Sequence, residues 1–310
     1  MSKAIIAGSN SVLLAKSIAS LSNLELLSPR VVHFINAEMK VTIPENTASF
    51  NEVFLVQSTS NPANDNLMEI CLLADTIRRD GVSKIQALIP YFGYARQDKQ
   101  HLPHECVSID VIARILQGIG VDKIITVDIH NEKSLTKIDF PIQNVSAIPL
   151  LAQKIYQDLG LDETTEKDFT IASPDYGGIK RSEDFAKHFY KNQDNVEIVS
   201  IKKKRHLDKM HYCEAVELNG NIKDKKVILI DDVSTSGSTL LNAMELCKAN
   251  GVKDVYGLVV HADFAKGVAE KLQNSNFVKV YTTNTIEKTV ENLDFYDKIK
   301  VVDIAKMFQF

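Results

Sequence analysis

Apolar residues recur along this chain in two alternating rhythms, and the alternation predicts its architecture. Residues 64–80 place Leu67, Ile70, Cys71, Ala74 and Ile77 at helix-face spacing. Gly81 follows, and then the apolar run Ala87-Leu88-Ile89-Pro90. A second helix is expected near 106–118, closed by Gly120 and feeding Ile125-Thr126-Val127. A third is expected near 238–250, closed by Gly251 and feeding Gly257-Leu258-Val259-Val260. Each glycine suits the left-handed backbone just past a helix end. Each following run is short, apolar and largely β-branched, as a strand buried on both faces should be. The repeated order of helix, glycine and strand predicts αβ units around a parallel sheet.

The unit occurs on both sides of the midpoint, so the fold class is α/β with two similar parallel-sheet domains. Strands are expected near 3–7, 53–57, 84–89, 123–128, 169–173, 196–201, 226–231, 254–260 and 278–283. The polar stretch 158–168 is expected to be exposed. Pro141 and Pro149 flank a break between helix-rich segments, which places the domain boundary at 145 and gives domains 1–145 and 146–310. At ~150 residues per domain, a length of 310 agrees with two.

Composition then narrows the function classes. Lys+Arg 36 against Asp+Glu 40 gives a net charge of −4, so no broad cationic surface points to nucleic acid or an anionic membrane. Aromatic residues make up only 7% and Trp is absent, which disfavours a base-stacking platform. The four cysteines, Cys71, Cys106, Cys213 and Cys247, form no CxxC pair and read as idle thiols in a reducing cytosol. No stretch approaches the ~18 apolar residues of a membrane span. The first residues lack a long apolar core with a small-residue cleavage site, so a cytoplasmic location is expected.

Open α/β sheets carry their functional residues where strands end and loops converge. The most informative such exit is Val227-Ile228-Leu229-Ile230-Asp231-Asp232-Val233-Ser234-Thr235-Ser236-Gly237-Ser238-Thr239, which runs into a helix. Four apolar residues followed by two carboxylates put both acids at an expected strand tip. The small hydroxyl- and glycine-rich loop behind them offers backbone N–H groups at a helix N-terminus, which suits a phosphate. The acids cannot favour the phosphate itself and are expected to hold sugar hydroxyls or a phosphate-bound metal. Together they describe a receptor for a phosphorylated sugar. It is not a nucleotide P-loop, which would need GxxxxGK[ST].

This loop resembles the phosphoribosyl-binding loop of the phosphoribosyltransferase superfamily. Five further segments stand at strand exits: Phe34-Ile35-Asn36-Ala37-Glu38, Gln57-Ser58-Thr59-Ser60, Tyr91-Phe92-Gly93-Tyr94-Ala95-Arg96-Gln97-Asp98, Val127-Asp128-Ile129-His130-Asn131, and Ser173-Pro174-Asp175-Tyr176-Gly177-Gly178. In this order they resemble the signature set of the ribose-phosphate diphosphokinases, across essentially the whole chain. The resemblance implies two phosphoribosyltransferase-like (Rossmann-like) domains. It also implies transfer of the diphosphoryl group of ATP to the 1-hydroxyl of ribose 5-phosphate, with Mg2+ as cofactor and a homo-oligomeric state, a dimer or a ring of dimers. Neither nucleic acid nor a membrane is expected as a partner.

Carried over residue by residue, the resemblance makes Asn36, Ala37, Glu38, Arg96 and Gln97 the ATP site and His130 with Asp175 the magnesium-associated pair. Asp231, Asp232, Thr235, Ser236, Gly237, Ser238 and Thr239 become the ribose 5-phosphate site. Lys203 and Arg205, in Lys202-Lys203-Lys204-Arg205-His206, match a catalytic arm, with Arg205 also serving ribose 5-phosphate and Lys202 and Lys204 as alternative registers. Asn36 and Ala37 depart from the usual Asp and Gly. Magnesium favours oxygen ligands, so His130 has phosphate as its other expected contact. His101 and His104, in a polar stretch, read as exposed loop rather than metal ligands. Two rivals stand against this reading: a nucleobase phosphoribosyltransferase, and a regulatory homologue without catalysis. The Arg-Gln-Asp and Ser-Pro-Asp motifs oppose the first, and Lys203, Arg205, His130 and Asp175 the second.

Overall fold

The computed structural model describes residues 2–100, 102–191, 198–205, 213–291 and 293–310, with the backbone alone described at 202–205, 213–218 and 294. The chain forms two units, each with its own sheet and core. The first comprises Met1–Ser146 with Thr285–Lys288 and Asp303–Phe310, and the second Ala147–Asn284 with Thr289–Val302. A cut at 145 leaves 285–288 and 303–310 in the second domain, whereas their contacts group them with the first unit. Phe310 shows why: its ring stacks on Phe54, 3.8 Å between centroids, and covers apolar sheet surface.

In chain order the first unit contains β1 (Lys3–Ala7), α1 (Val12–Ser22), β2 (Glu25–Leu27), β3 (Arg30–His33), β4 (Met39–Thr42), β5 (Glu52–Val56), α2 (Ala63–Arg79), β6 (Lys84–Ile89), α3 (Ser108–Gly118), β7 (Lys123–Val127) and β8 (Ile142–Val145). Its sheet has the order β2-β1-β5-β6-β7-β8, and every pairing is parallel. One face buries Ile6, Leu55, Ala87 and Ile89 with Ile70, Leu73 and Ile77 of α2 and Ile112 and Leu116 of α3. β3 and β4 form a separate antiparallel hairpin.

The second unit contains α4 (Ile148–Asp158), β9 (Phe169–Ser173), α5 (Ile179–Phe189), β10 (Val199–Arg205), β11 (Cys213–Asn219), β12 (Lys226–Ser234), α6 (Ser238–Ala249), β13 (Asp254–Ala262), α7 (Val268–Gln273), β14 (Phe277–Thr283) and β15 (Ile299–Val302), while α8 (Glu287–Val290) spans the boundary. Its sheet has the order β11-β10-β9-β12-β13-β14-β15 and is parallel except for the β10–β11 pair. Leu229, Val255 and Val259 pack there against Leu240, Met244 and Cys247 of α6.

The α/β class with two parallel sheets is the architecture the hydrophobic pattern predicts. Gly81, Gly120 and Gly251 occupy left-handed backbone at φ +92, +96 and +80, as their places past helix ends require. Two expectations need correction. The break between Pro141 and Pro149 holds strand β8, whose Ile142 and Val145 complete the first sheet. β12 does not end at Asp231 but runs to Ser234, because Val233 extends the apolar pattern and pairs with His261. Both acids therefore lie within the strand, buried, rather than at its tip.

Candidate active site

The acid pair of β12 is buried in the second unit. The Asp232 backbone N–H donates to Asp231 Oδ1 at 2.9 Å, which fixes the first carboxylate against the strand. Arg181 of α5 approaches Asp232, Nη2 to Oδ2 3.6 Å. Burial pushes the Asp231 carboxyl up, Asp232 and then Asp175 push it further, and Arg181 opposes them. Asp175 belongs to the loop between β9 and α5. Its Oδ1 accepts from the Gly178 N–H at 3.0 Å, and its carbonyl accepts from Ser173 Oγ at 2.6 Å.

Past Ser234 the chain turns through Thr235 and Ser236 to Gly237, whose φ of +74 aims it into α6. Ser236 Oγ and Ser238 Oγ lie 2.7 Å apart and both residues are exposed. The Thr235 hydroxyl donates to Asp263 at 3.4 Å, and its carbonyl accepts from Ala265 N at 2.8 Å, so the loop after β13 braces it. The result is an exposed set of hydroxyls at the start of a helix of 12 residues, beside buried carboxylates. That arrangement suits an anion at the helix end and hydroxyl donors at the acids.

Lys202, Lys203, Lys204 and Arg205 lie on β10 and pair with β11, Lys203 opposite Ala215 and Arg205 opposite Cys213. The register shifts between Lys202 and Lys203, where one residue of β11 is skipped. The cationic segment is thus an antiparallel extension of the sheet rather than a loop, and His206 falls outside the described residues.

The expected ATP-site residues all lie in the first unit. Asn36, Ala37 and Glu38 form the exposed tip of the β3–β4 hairpin, where Asn36 Oδ1 accepts from the Glu38 N–H at 3.2 Å and Ala37 has φ +68. Arg96 is exposed in the loop after β6. The Gln97 side chain donates to the carbonyls of Lys99 and Cys106 at 3.2 and 3.3 Å. Asp98 of that loop accepts from Asn131 in the loop after β7, which brings the exposed His130 and the Arg96 segment onto adjoining exits. His104 is exposed, as expected, and His101 lies outside the described residues.

Two features were not legible from residue types. Ser58 and Thr59 hold the start of the Arg96 loop: Ser58 Oγ accepts from Tyr91 N at 3.1 Å, and Thr59 Oγ1 accepts from Gly93 N at 2.7 Å. Arg181 was also missed, although its place one helical turn past Gly178 is a usable signal. Among the described residues, no three His, Cys, Asp or Glu side chains form a group able to hold a metal ion by themselves.

Comparison with known proteins assigns a family to both units. Residues 3–120 match the family pattern described as the N-terminal domain of ribose phosphate pyrophosphokinase, and residues 142–298 match the phosphoribosyl transferase domain. A ribose-phosphate pyrophosphokinase of Clostridium tetani is 34% identical over 304 residues, covering 98% of this chain and 91% of its own. One from Bradyrhizobium diazoefficiens is 33% identical over 285 residues, covering 92% and 86%. Among solved structures, phosphoribosylpyrophosphate synthetase from Mycobacterium smegmatis superposes with a TM-score of 0.86 at 26% identity, covering 99% of this chain and 96% of its own.

Proposed function

We propose that this chain, which belongs to the ribose-phosphate pyrophosphokinase family, transfers the diphosphoryl group of ATP to ribose 5-phosphate. The O1 hydroxyl attacks the β-phosphorus, the bond from that phosphorus to the oxygen bridging the α-phosphate breaks, and AMP leaves with that oxygen. The hydroxyl proton is lost to solvent, and 5-phosphoribosyl 1-diphosphate forms for nucleotide biosynthesis. The observation that carries the reading is the buried Asp231–Asp232 pair leading into the Thr235–Thr239 loop at the start of α6, with Ser236 and Ser238 exposed.

Ribose 5-phosphate places its phosphate on the N–H groups and hydroxyls of Thr235, Ser236, Gly237, Ser238 and Thr239. Its ring hydroxyls donate to Asp231 and Asp232. ATP is taken by Asn36, Ala37, Glu38, Arg96 and Gln97, with the Arg96 fork matched to phosphate oxygens or stacked on a purine. Lys203 and Arg205 supply positive charge where the transferring group gains negative charge, the contribution that matters most in such transfers.

A divalent cation, Mg2+, fits the donor chemistry. Asp175 and Asp232 add carboxylate charge beside Asp231, whose pKa burial raises first and these neighbours raise further, and magnesium needs only one or two protein carboxylates beside substrate phosphates. Asp175 would hold it, with His130 toward the phosphates. When bound it neutralises phosphate charge.

The location is read as cytoplasmic; no helix among the described residues is long and apolar enough to cross a membrane. A homo-oligomer, dimer or ring of dimers, is read from family membership and from the exposed Phe34 and Ile35 of the hairpin tip. The deciding experiment measures AMP formed from ATP with and without ribose 5-phosphate. Sugar-dependent AMP in step with phosphoribosyl diphosphate supports the reading. Absence of AMP from protein that binds both substrates supports a regulatory homologue, and use of phosphoribosyl diphosphate with a nucleobase supports a phosphoribosyltransferase.

A further inference from the structure

We infer that Arg181 is the positioning residue of the acid pair: its guanidinium holds the Asp232 carboxylate in the orientation that, with Asp231, receives the sugar hydroxyls. The inference rests on the ribose 5-phosphate reading of this site and adds a residue to it. Each acid has its own neighbour, a hydrogen-bond donor for Asp231 and an ion-pair partner for Asp232. Asp231 is held by the peptide N–H of its neighbour, 2.9 Å away, so the strand itself sets its direction. Asp232 is met by a side chain from another element, Arg181 Nη2 at 3.6 Å, with exposures of 14% for the arginine and 8% for the aspartate.

The start of α5 is built to deliver that arginine. Gly178 caps the helix, its N–H bound to Asp175, and a Cβ there would stand 2.6 Å from Ser173 Oγ and 3.6 Å from the Ile230 carbonyl. The first turn of α5 therefore lies beside the residue preceding the acids, and a side chain at Gly178 would displace the Ser173 hydroxyl that bonds the Asp175 carbonyl. Arg181 follows three residues later on the same helix face. Burial of the pair sets it apart from surface ion pairs, because losing the arginine leaves a buried carboxylate less compensated. A planar guanidinium with several N–H groups can hold one carboxylate and keep its plane fixed, which a lysine does less well.

The test is a double-mutant cycle read by calorimetric titration of ribose 5-phosphate without ATP, with steady-state kinetics alongside. Arg181→Gln should weaken ribose 5-phosphate binding and raise its KM by at least about 10-fold, as expected when a buried carboxylate loses its ion-pair partner. The ATP KM and kcat should stay within about 3-fold, the split expected when substrate binding alone is touched. Arg181→Lys should recover part of the loss. In an Asp232→Ala background, Arg181→Gln should cost little more, since the arginine acts through that carboxylate. Full additivity with Asp232→Ala, or wild-type affinity in Arg181→Gln, overturns the inference. Should Arg181→Gln melt below the assay temperature, the same cycle is run with Arg181→Lys and carries the same criteria. Failure of the wild-type protein to bind ribose 5-phosphate would instead overturn the functional reading, a different result in a different sample.

Discussion

The strand exits of the two units use one plan to opposite ends. In both, parallel strands deliver short loops to helix N-termini, yet the exit of β1 in the first unit is satisfied from within while the exit of β12 in the second keeps exposed serine hydroxyls at a helix start. At the exit of β1, Ser9 donates from its N–H and hydroxyl to the buried Glu69 at 2.7 and 2.5 Å. Gln57 Oε1 accepts from Asn10 N at 2.9 Å, and the Asn10 side chain donates to Ser58 O and Ser60 Oγ at 3.2 and 2.8 Å. Even the start of α1 is filled by protein: the N–H groups of Leu13 and Leu14 donate to the two carboxylate oxygens of Glu287 at 2.9 and 3.0 Å. A glutamate thus stands where an anion could bind. In the second unit the start of α6 carries exposed serines, and buried acids crowd together with their charge only partly offset. The exit of β1 is closed by protein groups, and the exit of β12 presents exposed hydroxyls that suit a ligand.

The largest effect expected from this contrast is on folding of the first unit. A Cβ on Gly8 would lie 2.3 Å from Gln57 Oε1, in a fully buried side chain already committed to Asn10. Gly8→Ala should cost about 3 kcal/mol, combining overpacking with a lost buried hydrogen bond. Ribose 5-phosphate affinity of the folded fraction should be unchanged. Thermal melts and a titration check both halves, and an unshifted melting temperature would break the claim that this exit is structural.

The converse holds in the second unit. Asp232→Ala should raise the KM for ribose 5-phosphate about 10- to 100-fold, the span of 1.5–3 kcal/mol for a hydrogen bond to a charged acceptor. An unchanged sugar KM would show that the pair serves the fold, as the acids of the first unit do.

A smaller effect follows from the raised Asp231 carboxyl. Its folded-state pKa, about 7, lies above its ordinary value, so the folded protein holds this proton more tightly than the unfolded chain. That contribution is complete below the unfolded value near 4 and is lost as pH rises through about 7. The unliganded wild type should therefore weaken across this window. Asp231→Asn, which has no proton to lose there, should be more stable than wild type at pH 8 by about 1–2 kcal/mol, with the gap closing by pH 4. Melting curves at pH 4, 6 and 8 read the sign directly, and a gap that widens toward acid would refute it.

How far the sequence displayed this contrast depends on what each feature rests on. The parallel sheets follow from runs such as Ile85–Ile89 and Ile228–Ile230, because burial on both faces leaves a contiguous apolar signature. Edge and added strands carry no such run. β2 has three residues, β8 stands between prolines, and β11 pairs with the cationic β10 in an order that only the folded sheet supplies. The second unit's loop was legible because adjacent acids and small hydroxyl residues have few structural uses together. The first unit's network was opaque because it joins Ser9 to Glu69 and Leu13 to Glu287, partners 60 and 274 residues apart. Arg181 lies between these cases: its local position could be read, but its partnership with Asp232 needed the crossover from α5 to β12.

The smallest effect tests the hairpin tip, an expected ligand-binding segment of the first unit whose residues 36–38 are all exposed. Ala37 sits at φ +68, in backbone that an L-residue occupies at a cost of about 1 kcal/mol and glycine at none. Glycine, however, gives up about 0.5–1 kcal/mol more chain entropy on folding. The two nearly cancel, so Ala37→Gly should leave stability within about 0.5 kcal/mol. The turn is also closed by bonds that do not involve the Ala37 side chain: Phe34 N donates to Glu38 O at 2.8 Å, and Ala37 N to Phe34 O at 2.9 Å. Its shape is thus already the one glycine would take, and the departure from the family's usual residue changes composition without changing the path of the chain. The KM for ATP should accordingly move by less than about 3-fold, under 1 kcal/mol. A larger shift in ATP KM with unchanged melting temperature would mean that the Ala37 methyl itself meets the nucleotide, and would turn this tip from a backbone-shaped contact into a side-chain one.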